Sequence, residues 1–533
     1  MTEFLVIGSG LSAVGAICGI LRSKPNASIT VLDAGFEPEQ KIQIEQNLYD
    51  YCANEDAFEL MIGRDFGGLR QLSGEEKYLP ARLTTPGFSF VASEAERLLP
   101  LGRGSASVVQ SLANGGLANA WGAGSYRFTP RDLDRFPISV SELSEFYDQM
   151  TNEIGLSGTV DDLLEDFGST EGLQPPLELS LKAQMILRRY ERKKQTFKKA
   201  GIRIGRPRYA ILSRAKDGRR PLQYQNLEFW QPHLPEIYTP AFSINRWRQQ
   251  KKISYQPGLL VHSFVRSGEK VEVSAREIAS GAQVRFQAQK LILAAGAIGS
   301  SRIVLASHQD FQSTLPLVDN PAVQIPLVFP TRIGAKLETR VLGSAHLSLI
   351  YDQGWNGPLQ GGLLELSSPA RAEFFGKFPL AGSANLALIR SVLPAMMVNL
   401  VFFPSFYRPA ARVQLRAKPD GSAELDISAD SFFLKPQLIE RLVASCRLFG
   451  GFSHRRLVVE VPFGGGVHYA GTLPMRENPR GRYECSRDGE LHESPGVYVV
   501  DGACFPCLPA KNHSFTLTAN AMRIGSRLAQ RTN

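Results

Sequence analysis

The 533-residue sequence has little cysteine and no uninterrupted hydrophobic run long enough to cross a membrane. Its six cysteines are too few and too scattered for a disulfide framework, which suits a reducing compartment. The chain enters an apolar strand at once, leaving no room for a secretory leader, so we expect a cytoplasmic protein. The most apolar stretch, residues 386–405, is interrupted by Arg390, Pro394 and Asn399. It predicts a buried strand or a cavity wall, with contact to a membrane surface as the alternative.

The sequence also lacks the patterns of several binding and catalytic classes. The net charge is +9, but there is no block of five or six consecutive Lys or Arg residues, so we expect a solvated basic surface and no nucleic-acid partner. No Gly-x-Ser-x-Gly nucleophile motif occurs, and no histidine or cysteine spacing indicates a metal site. Cys504 and Cys507 have the Cys-x-x-Cys spacing of a redox dithiol, but they follow a strand and a glycine and do not open a helix, which argues against that role.

The N-terminal segment contains a nucleotide-binding pattern. An apolar strand, the turn Gly8-Ser-Gly10-Leu-Ser-Ala13, a helical segment and a second strand ending in Asp33 follow one another within 35 residues. In such a β-α-β unit the glycines bring backbone close to a pyrophosphate at the helix N-terminus, and the acid accepts hydrogen bonds from a ribose. The pattern predicts a Rossmann-type domain. The predicted contacts with the nucleotide are Gly8, Gly10, Leu11, Ser12, Ala13, Asp33 and Ala34.

Five further segments together indicate a family. The segments are NGGLANAWGAG (114–124), RFPISVSELSEFYD (135–148), LILAAGAIGSSRIVLAS (291–307), GGGVHYAGTLPM (464–475) and VYVVDGACFP (497–506). They resemble, in the same order, characteristic motifs of the glucose–methanol–choline (GMC) oxidoreductases. That resemblance implies an α/β (α+β) architecture in which a Rossmann-type FAD-binding domain is interleaved with an antiparallel-sheet substrate domain. The expected limits are 1–140, 253–330 and 457–533 for the FAD domain, and 141–252 and 331–456 for the substrate domain.

The resemblance also implies which other residues contact FAD. The glycine-rich loop is expected to lie along the flavin, with Asn119 at the polar edge of the ring. Ala120 stands where some relatives tether the flavin through a histidine, so non-covalent FAD is expected. The remaining predicted contacts are Gly115, Gly116, Trp121, Val261, Ala295, Gly296, Asp501 and Gly502.

His468 is the predicted general base, because it occupies the histidine position of the family's His-x-x-Gly-Thr motif and imidazole titrates near neutral pH. The family pairs this histidine with a second His or Asn that binds the substrate oxygen. Asn512 and His513 are adjacent candidates for that role, and counting back from the terminal helical segment favours Asn512.

The resemblance predicts oxidation of an alcohol to a carbonyl, with hydride transfer to flavin N5. The expected substrate is a sugar, polyol or cyclitol moiety, and a hydrophobic alcohol is the alternative. Oxygen, a quinone or a redox protein would accept the electrons. The alternative reaction class is that of a flavin-dependent lyase or isomerase, which would catalyse no net oxidation.

Overall fold

A computed structural model of the protein describes residues 2–38, 43–63, 78–102, 104, 106–169, 171–366, 382–419 and 422–531. The strands are β1 (Thr2–Ile7), β2 (Ile29–Leu32), β3 (Ile202–Gly205), β4 (Ser254–Gln256), β5 (Leu259–Ser267), β6 (Lys270–Glu277), β7 (Gln283–Leu293), β8 (Leu315–Leu317), β9 (Ala322–Val328), β10 (Ala345–Tyr351), β11 (Leu359–Glu365), β12 (Met396–Phe402), β13 (Ala411–Ala417), β14 (Ala423–Ser428), β15 (Val459–Val461), β16 (Met475–Arg476), β17 (Cys485–Ser486) and β18 (Val497–Val499). The helices are α1 (Leu11–Ser23), α2 (Leu48–Asn54), α3 (Phe58–Ile62), α4 (Ser93–Leu98), α5 (Val140–Ile154), α6 (Leu164–Phe167), α7 (Leu181–Arg192), α8 (Lys194–Lys199), α9 (Pro240–Gln249), α10 (Gly296–Ser307), α11 (Gly382–Val392), α12 (Pro436–Phe449) and α13 (Ser514–Arg531).

The first sheet is built around the apolar N-terminal strand. Strand β1 is buried from Phe4 to Ile7 and pairs in parallel with β2 on one side and β7 on the other. The strand order is β4-β2-β1-β7-β6-β5, and β18 also pairs in parallel with β7. Parallel strands covered on both faces are typical of doubly wound nucleotide-binding sheets. The predicted β-α-β unit is therefore present, formed by β1, α1 and β2.

The second sheet is antiparallel and has its own hydrophobic core. Its order is β15-β9-β12-β11-β10-β3, and helices α7 and α12 contribute to the core beneath it. The fold class predicted from the sequence is confirmed. Strands β9 and β15 lie inside the ranges assigned to the first domain but pair in this second sheet. The domain limits themselves stay a prediction.

Several local predictions can be compared with the structure. Helix α5 begins with a capping box between Ser139 and Glu142, and α12 ends at Gly450, which has a φ of +90°. Strands β13 and β14 pair as the predicted hairpin, although the tip at 420–421 lies outside the described residues. The expectation of a strand or cavity wall for residues 386–405 holds only for β12. Helix-forming residues before Pro394 form α11 instead, because alanine, leucine and arginine favour a helix.

Helices α1 and α13 touch along their backbones. A Cβ atom added at Gly15 would lie 2.2 Å from the carbonyl oxygen of Thr518, and one at Gly19 would lie 2.1 Å from that of Met522. In the reverse direction, a Cβ at Gly525 would lie 2.2 Å from the carbonyl oxygen of Ala16. The order of these contacts shows that the two helices run in the same direction. Their N-termini therefore lie at the same end of the pair.

We predict that Gly19→Ala lowers the free energy of unfolding by about 1–3 kcal/mol, because the new methyl group would overlap the Met522 carbonyl and force the helices apart. Urea unfolding of the purified protein measures this change. Gly122→Ala is the matched control, since Gly122 is exposed and a Cβ there meets nothing within 4 Å. Equal unfolding midpoints for the two variants would contradict the helix contact.

Candidate active site

One cavity of about 530 Å³ extends from the N-terminus of α1 to the face of the antiparallel sheet. Its walls come from the ends of β1 and β2, the glycine-rich loop before α5, strand β5, the start of α10, strands β9, β11 and β12, and the segments that precede β16 and α13. Residues widely separated in the chain therefore face one space. Strand β1 and helix α13, at opposite ends of the sequence, meet here because β18 and α13 return to the first sheet.

Glycine occurs at positions 8 and 10 of the fingerprint for different structural reasons. Gly8 has a φ of +97°, and a Cβ there would lie 2.7 Å from the carbonyl oxygen of Ala294, so packing alone requires glycine. Gly10 has a φ of −71°, and a Cβ there meets nothing within 4 Å. Across the gap, Gly116 lies close enough that its Cβ would be 3.7 Å from the Gly10 Cα. Protein packing does not require glycine at position 10, whereas a ligand at the helix N-terminus would.

A buried serine links three walls of this end of the cavity. The Ser9 hydroxyl donates to Asp33 Oδ2 at 2.5 Å and accepts from the Gly115 backbone N–H at 2.9 Å. The Tyr255 hydroxyl also donates to Asp33 Oδ2, at 2.9 Å. Burial raises the pKa of Asp33 to about 7 despite these hydrogen bonds. Ser9 was not predicted, because it occupies the variable position of the fingerprint.

A second buried carboxylate lines the cavity near the start of α10. Asp501 accepts from the Ser300 hydroxyl at 2.5 Å and from the Ala503 backbone N–H at 2.9 Å. Burial raises the pKa of Asp501 to about 6. The neighbouring Gly502 approaches backbone closely, since a Cβ there would lie 2.3 Å from the Tyr469 carbonyl oxygen. Asp33 and Asp501 can thus accept hydrogen bonds from hydroxyl groups of a ligand at two places along the cavity.

Most of the predicted site residues line this cavity. They are Gly8, Gly10, Leu11, Ser12, Asp33, Ala34, Gly115, Gly116, Ala120, Trp121, Val261, Ala295, Gly296, His468, Asp501, Gly502, Asn512 and His513. Two others do not line it. Ala13 is buried within α1, and Asn119 uses its amide inside the loop, donating to the carbonyls of Asn114 (2.9 Å) and Gly116 (2.8 Å) and bonding His233 Nε2 at 3.0 Å.

Two histidines face each other in the cavity, one from the segment before β16 and one from the segment before α13. The rings of His468 and His513 are nearly perpendicular, with centroids 5.2 Å apart, and Phe402 stacks on His468 at 5.0 Å. Burial lowers the pKa of His468 to about 4. Burial, and then the proximity of His468, lower the pKa of His513 to about 3. Both imidazoles are therefore uncharged at neutral pH.

The start of α13 positions the second histidine. His513 directly precedes the first helical residue, and its carbonyl accepts from the Leu517 N–H at 2.8 Å. The amide nitrogen of Asn512 faces Gly124, where an added Cβ would lie 2.7 Å from it. The preceding Lys511 is buried and bonds Asp132 at 2.5 Å, which anchors the segment. Asn512 and His513 thus point to different parts of the cavity wall.

The cavity-facing strands contribute residues that sequence reasoning missed. These residues are Ala322, Gln324, Gln360, Gly362, Leu364, Val398, Leu400 and Phe402. They alternate with core residues along β9, β11 and β12, so one face of the sheet forms the wall. The wall is mostly apolar, with two glutamine amides. Alternation indicates a two-faced strand, but it does not show which face meets a ligand.

The Cys-x-x-Cys pair does not have the environment of a reactive dithiol. Both thiols are free; Cys504 is fully buried and Cys507 half-buried. Burial raises the pKa of Cys504 well above its usual value and that of Cys507 to about 11, whereas reactive thiols have lowered pKa values. Within the described ranges, no cluster of His, Cys, Asp or Glu could hold a metal ion. Among the described helices, none is both long and apolar enough to cross a membrane.

Comparison with known proteins places the fold. The structure matches pyridoxine 4-oxidase from Mesorbium loti with a TM-score of 0.59 at 15% identity over 99% of each chain. It matches a formate oxidase of Aspergillus oryzae, studied for modification of its FAD, with a TM-score of 0.62 at 11% identity over 100% of this chain and 98% of the other. The chain has the fold of the GMC oxidoreductases. The resemblance to this family seen in the sequence is thereby confirmed.

Sequence comparison adds one short local match to a protein that is also an oxidase by name. A segment of 77 residues is 35% identical to the C-glycoside 3-oxidase of Arthrobacter globiformis. The match spans 14% of this chain and 15% of the length of that protein. No profile of a known protein family matches the chain. The assignment of the GMC fold therefore rests on the three-dimensional structure and on short sequence motifs.

We predict that the two histidines make the protein lose stability as the pH falls from about 6.5 to about 4. Their pKa values are lower in the folded state than in the unfolded chain, so the unfolded state binds more protons in this window. Each histidine contributes a slope of up to about 1.4 kcal/mol per pH unit, with its full stability present above pH ~6.5.

Urea unfolding at pH 7 and pH 5 tests this prediction. Asp33 and Asp501, whose pKa values are raised, act in the opposite sense in this window. Relative to wild type, His468→Gln and His513→Gln should therefore each shift the change in the free energy of unfolding from pH 7 to pH 5 in the stabilising direction. His492→Gln is the control, because the His492 ring is exposed. An unchanged pH slope in both cavity variants would show that the imidazoles are not desolvated in solution.

Proposed function

We propose that the protein binds FAD in the long cavity and oxidises an alcohol group held between His468 and His513. One observation supports the proposal most directly: a single cavity joins the Gly8–Gly10 turn at the start of α1 to an uncharged histidine pair. The glycine turn suits an ADP-containing cofactor, and the histidine pair suits proton transfer from a hydroxyl. The oxidase names of the structural relatives support this assignment.

The residues present fit FAD. The open space at Gly10 and Gly116 accommodates a pyrophosphate at the positive end of α1. Asp33 can accept from ribose hydroxyls, and Asp501 from hydroxyls of the ribityl chain. Ala120 offers no side-chain nucleophile, which supports non-covalent binding. When bound, FAD supplies the acceptor for the hydride removed from the alcohol carbon.

His468 is proposed to remove the hydroxyl proton. The ring is neutral at neutral pH because burial disfavours its charged form, so it is ready to accept a proton. Its Nδ1 is bonded to Asn320 Oδ1 at 3.0 Å, which leaves Nε2 for the substrate. Phe402 stacks on the ring and limits its rotation.

His513 is proposed to bind the substrate oxygen, in place of the Asn512 that counting favours. His513 is in ring contact with His468, whereas the amide of Asn512 lies against Gly124. In the part of the chain that the structure describes, the buried Nδ1 of His513 has no hydrogen-bond partner. Asn512 remains the alternative, and the variants below separate the two.

The face of the antiparallel sheet that lines the cavity indicates which class of substrate the site can hold. We propose a sugar or cyclitol that carries an apolar group, with the apolar group on Val398, Leu400 and Phe402 and polar groups near Gln324 and Gln360. The short match to a C-glycoside 3-oxidase supports a sugar. A simple hydrophobic alcohol is the second candidate, favoured by the same apolar wall. We propose oxygen as the electron acceptor, with a quinone or a redox protein as alternatives that an acceptor assay separates.

We predict that the purified protein shows the visible absorption of oxidised flavin and that Gly10→Val abolishes it. The valine side chain would enter space that the protein leaves open, so the variant should fold normally but lose the pyrophosphate position. Absorption spectra and the urea midpoint are measured on the same preparations. Acid precipitation should release the flavin into the supernatant if it is not covalently attached.

Gly481→Val serves as the control and should keep its flavin, because Gly481 is exposed, lies outside the cavity lining, and an added Cβ there is 3.7 Å from its nearest atom, Glu484 Cγ. A colourless wild-type protein that binds no added FAD would contradict the proposal that the cofactor is FAD. A Gly10→Val protein with full flavin content would show that the cofactor does not lie against the N-terminus of α1.

We predict that His468→Gln lowers kcat/KM for alcohol oxidation by about 10²–10⁴-fold, because it removes the proton acceptor. The assay is anaerobic reduction of the flavin by a panel of sugars, apolar glycosides and hydrophobic alcohols. His513→Ala should cause a comparable loss with flavin content unchanged, and Asn512→Ala a smaller one. The reverse order would assign the oxygen-binding role to Asn512. Substrate turnover without flavin reduction would instead favour a lyase or isomerase.

A further inference from the structure

A buried asparagine outside every predicted motif holds the proposed base. Asn320 follows β8, is 1% exposed, and lies beside His468 with its Oδ1 atom 3.0 Å from the imidazole Nδ1. Its Nδ2 donates to two backbone carbonyls, those of Phe403 at 2.9 Å and Pro509 at 2.8 Å. Both amide hydrogens are therefore used on acceptors that cannot themselves donate.

This arrangement determines which way the amide faces. If the amide were turned over, its oxygen would face two carbonyl oxygens and lose both hydrogen bonds. The oxygen must therefore face His468, and an amide oxygen can only accept. The His468 Nδ1 consequently carries the hydrogen, and the lone pair of the neutral ring lies on Nε2.

The segment that carries Asn320 is anchored on both sides of His468. Val318 and Ala470 exchange two backbone hydrogen bonds, at 2.8 and 3.1 Å. Asp319 accepts from the Gly464 N–H at 2.8 Å and pairs with buried Arg408 at 3.0 Å. Residues 318 and 319 are thus hydrogen-bonded to both ends of the segment 464–470 that holds the histidine, which fixes Asn320 relative to it.

We infer that Asn320 is a positioning residue that selects the Nδ1–H tautomer of His468 and so directs its basic nitrogen toward the substrate hydroxyl. This inference rests on the proposed role of His468 in alcohol oxidation. It assigns Asn320 no contact with substrate or cofactor. An imidazole in the other tautomer would present an N–H where the reaction needs an acceptor.

The first test is nitrogen-15 NMR of the holoenzyme labelled at its histidine rings, at pH 7.5. His468→Gln assigns the His468 signals by their loss. Wild-type protein should show a protonated Nδ1 and an unprotonated Nε2. A His468 signal with the hydrogen on Nε2 would overturn the inference, whatever reaction the enzyme catalyses and whether or not the Asn320 variants fold.

The second test compares Asn320→Leu with Asn320→Asp. The leucine removes the accepting oxygen, so Nε2 should become protonated and kcat should fall by on the order of 10²-fold with little change in KM. The aspartate loses the two hydrogen bonds to the Phe403 and Pro509 carbonyls but keeps an accepting oxygen toward His468, so a folded variant should retain the Nδ1–H signal. Asn399→Leu is the matched control, because buried Asn399 bonds Tyr351 in the second core and not His468.

Flavin content and urea midpoints show whether each variant is folded. A folded Asn320→Leu protein with unchanged tautomer and unchanged kcat would also overturn the inference. If wild-type protein shows the expected tautomer but no alcohol reduces its flavin, the proposed function fails while the hydrogen-bond assignment stands.

Discussion

The backbone contact between α1 and α13 organises the active end of this protein. Glycines at positions 15, 19 and 525 allow the two helices to approach without intervening side chains. Because the helices run in the same direction, their N-termini open at the same end of the sheet, one at Gly10 and the other at His513. Both positive helix ends thus face one cavity, where they would favour a phosphate and, in the proposed function, the negative charge of a reduced cofactor.

Desolvation keeps both histidines of the pair uncharged. Two imidazoles in contact within an apolar wall repel each other when charged, so burial and proximity both favour the neutral rings. Neutral rings have one donor and one acceptor nitrogen each, and the direction of their hydrogen bonds then decides what each can do. The hydrogen bond from His468 to Asn320 sets that direction for the proposed base.

The cavity lies where two unlike sheets meet. The parallel sheet presents glycine turns and helix ends, which are polar backbone groups suited to a dinucleotide. The antiparallel sheet presents alternating side chains, which can vary without disturbing the backbone. In the proposed function, cofactor binding and substrate selection are therefore divided between the two sheets. The proposed chemistry takes place at their boundary, where segments 318–320, 464–470 and 512–514 converge.

The sequence alone determined the features that depend on local spacing. The strand, glycines, helix and acid from Phe4 to Asp33 occur close together in the chain, so their geometry follows from their order. Short motifs likewise indicated His468 and the segment containing Asn512 and His513. The sequence did not single out Ser9, Gln324, Gln360 or Asn320, because Ser9 occupies the variable position of the fingerprint and the other three belong to no recognised motif.

Only the tertiary structure decided the contacts between distant segments. Asn320 and His468 are 148 positions apart, and the two carbonyls that orient the amide come from two further segments. The same holds for the contact of Asn119 with His233, 114 positions away, and for the ring contact that distinguishes His513 from Asn512. The physical reason is that a side chain's role depends on the donors and acceptors that the folded chain places around it. Spacing along the sequence does not record those neighbours.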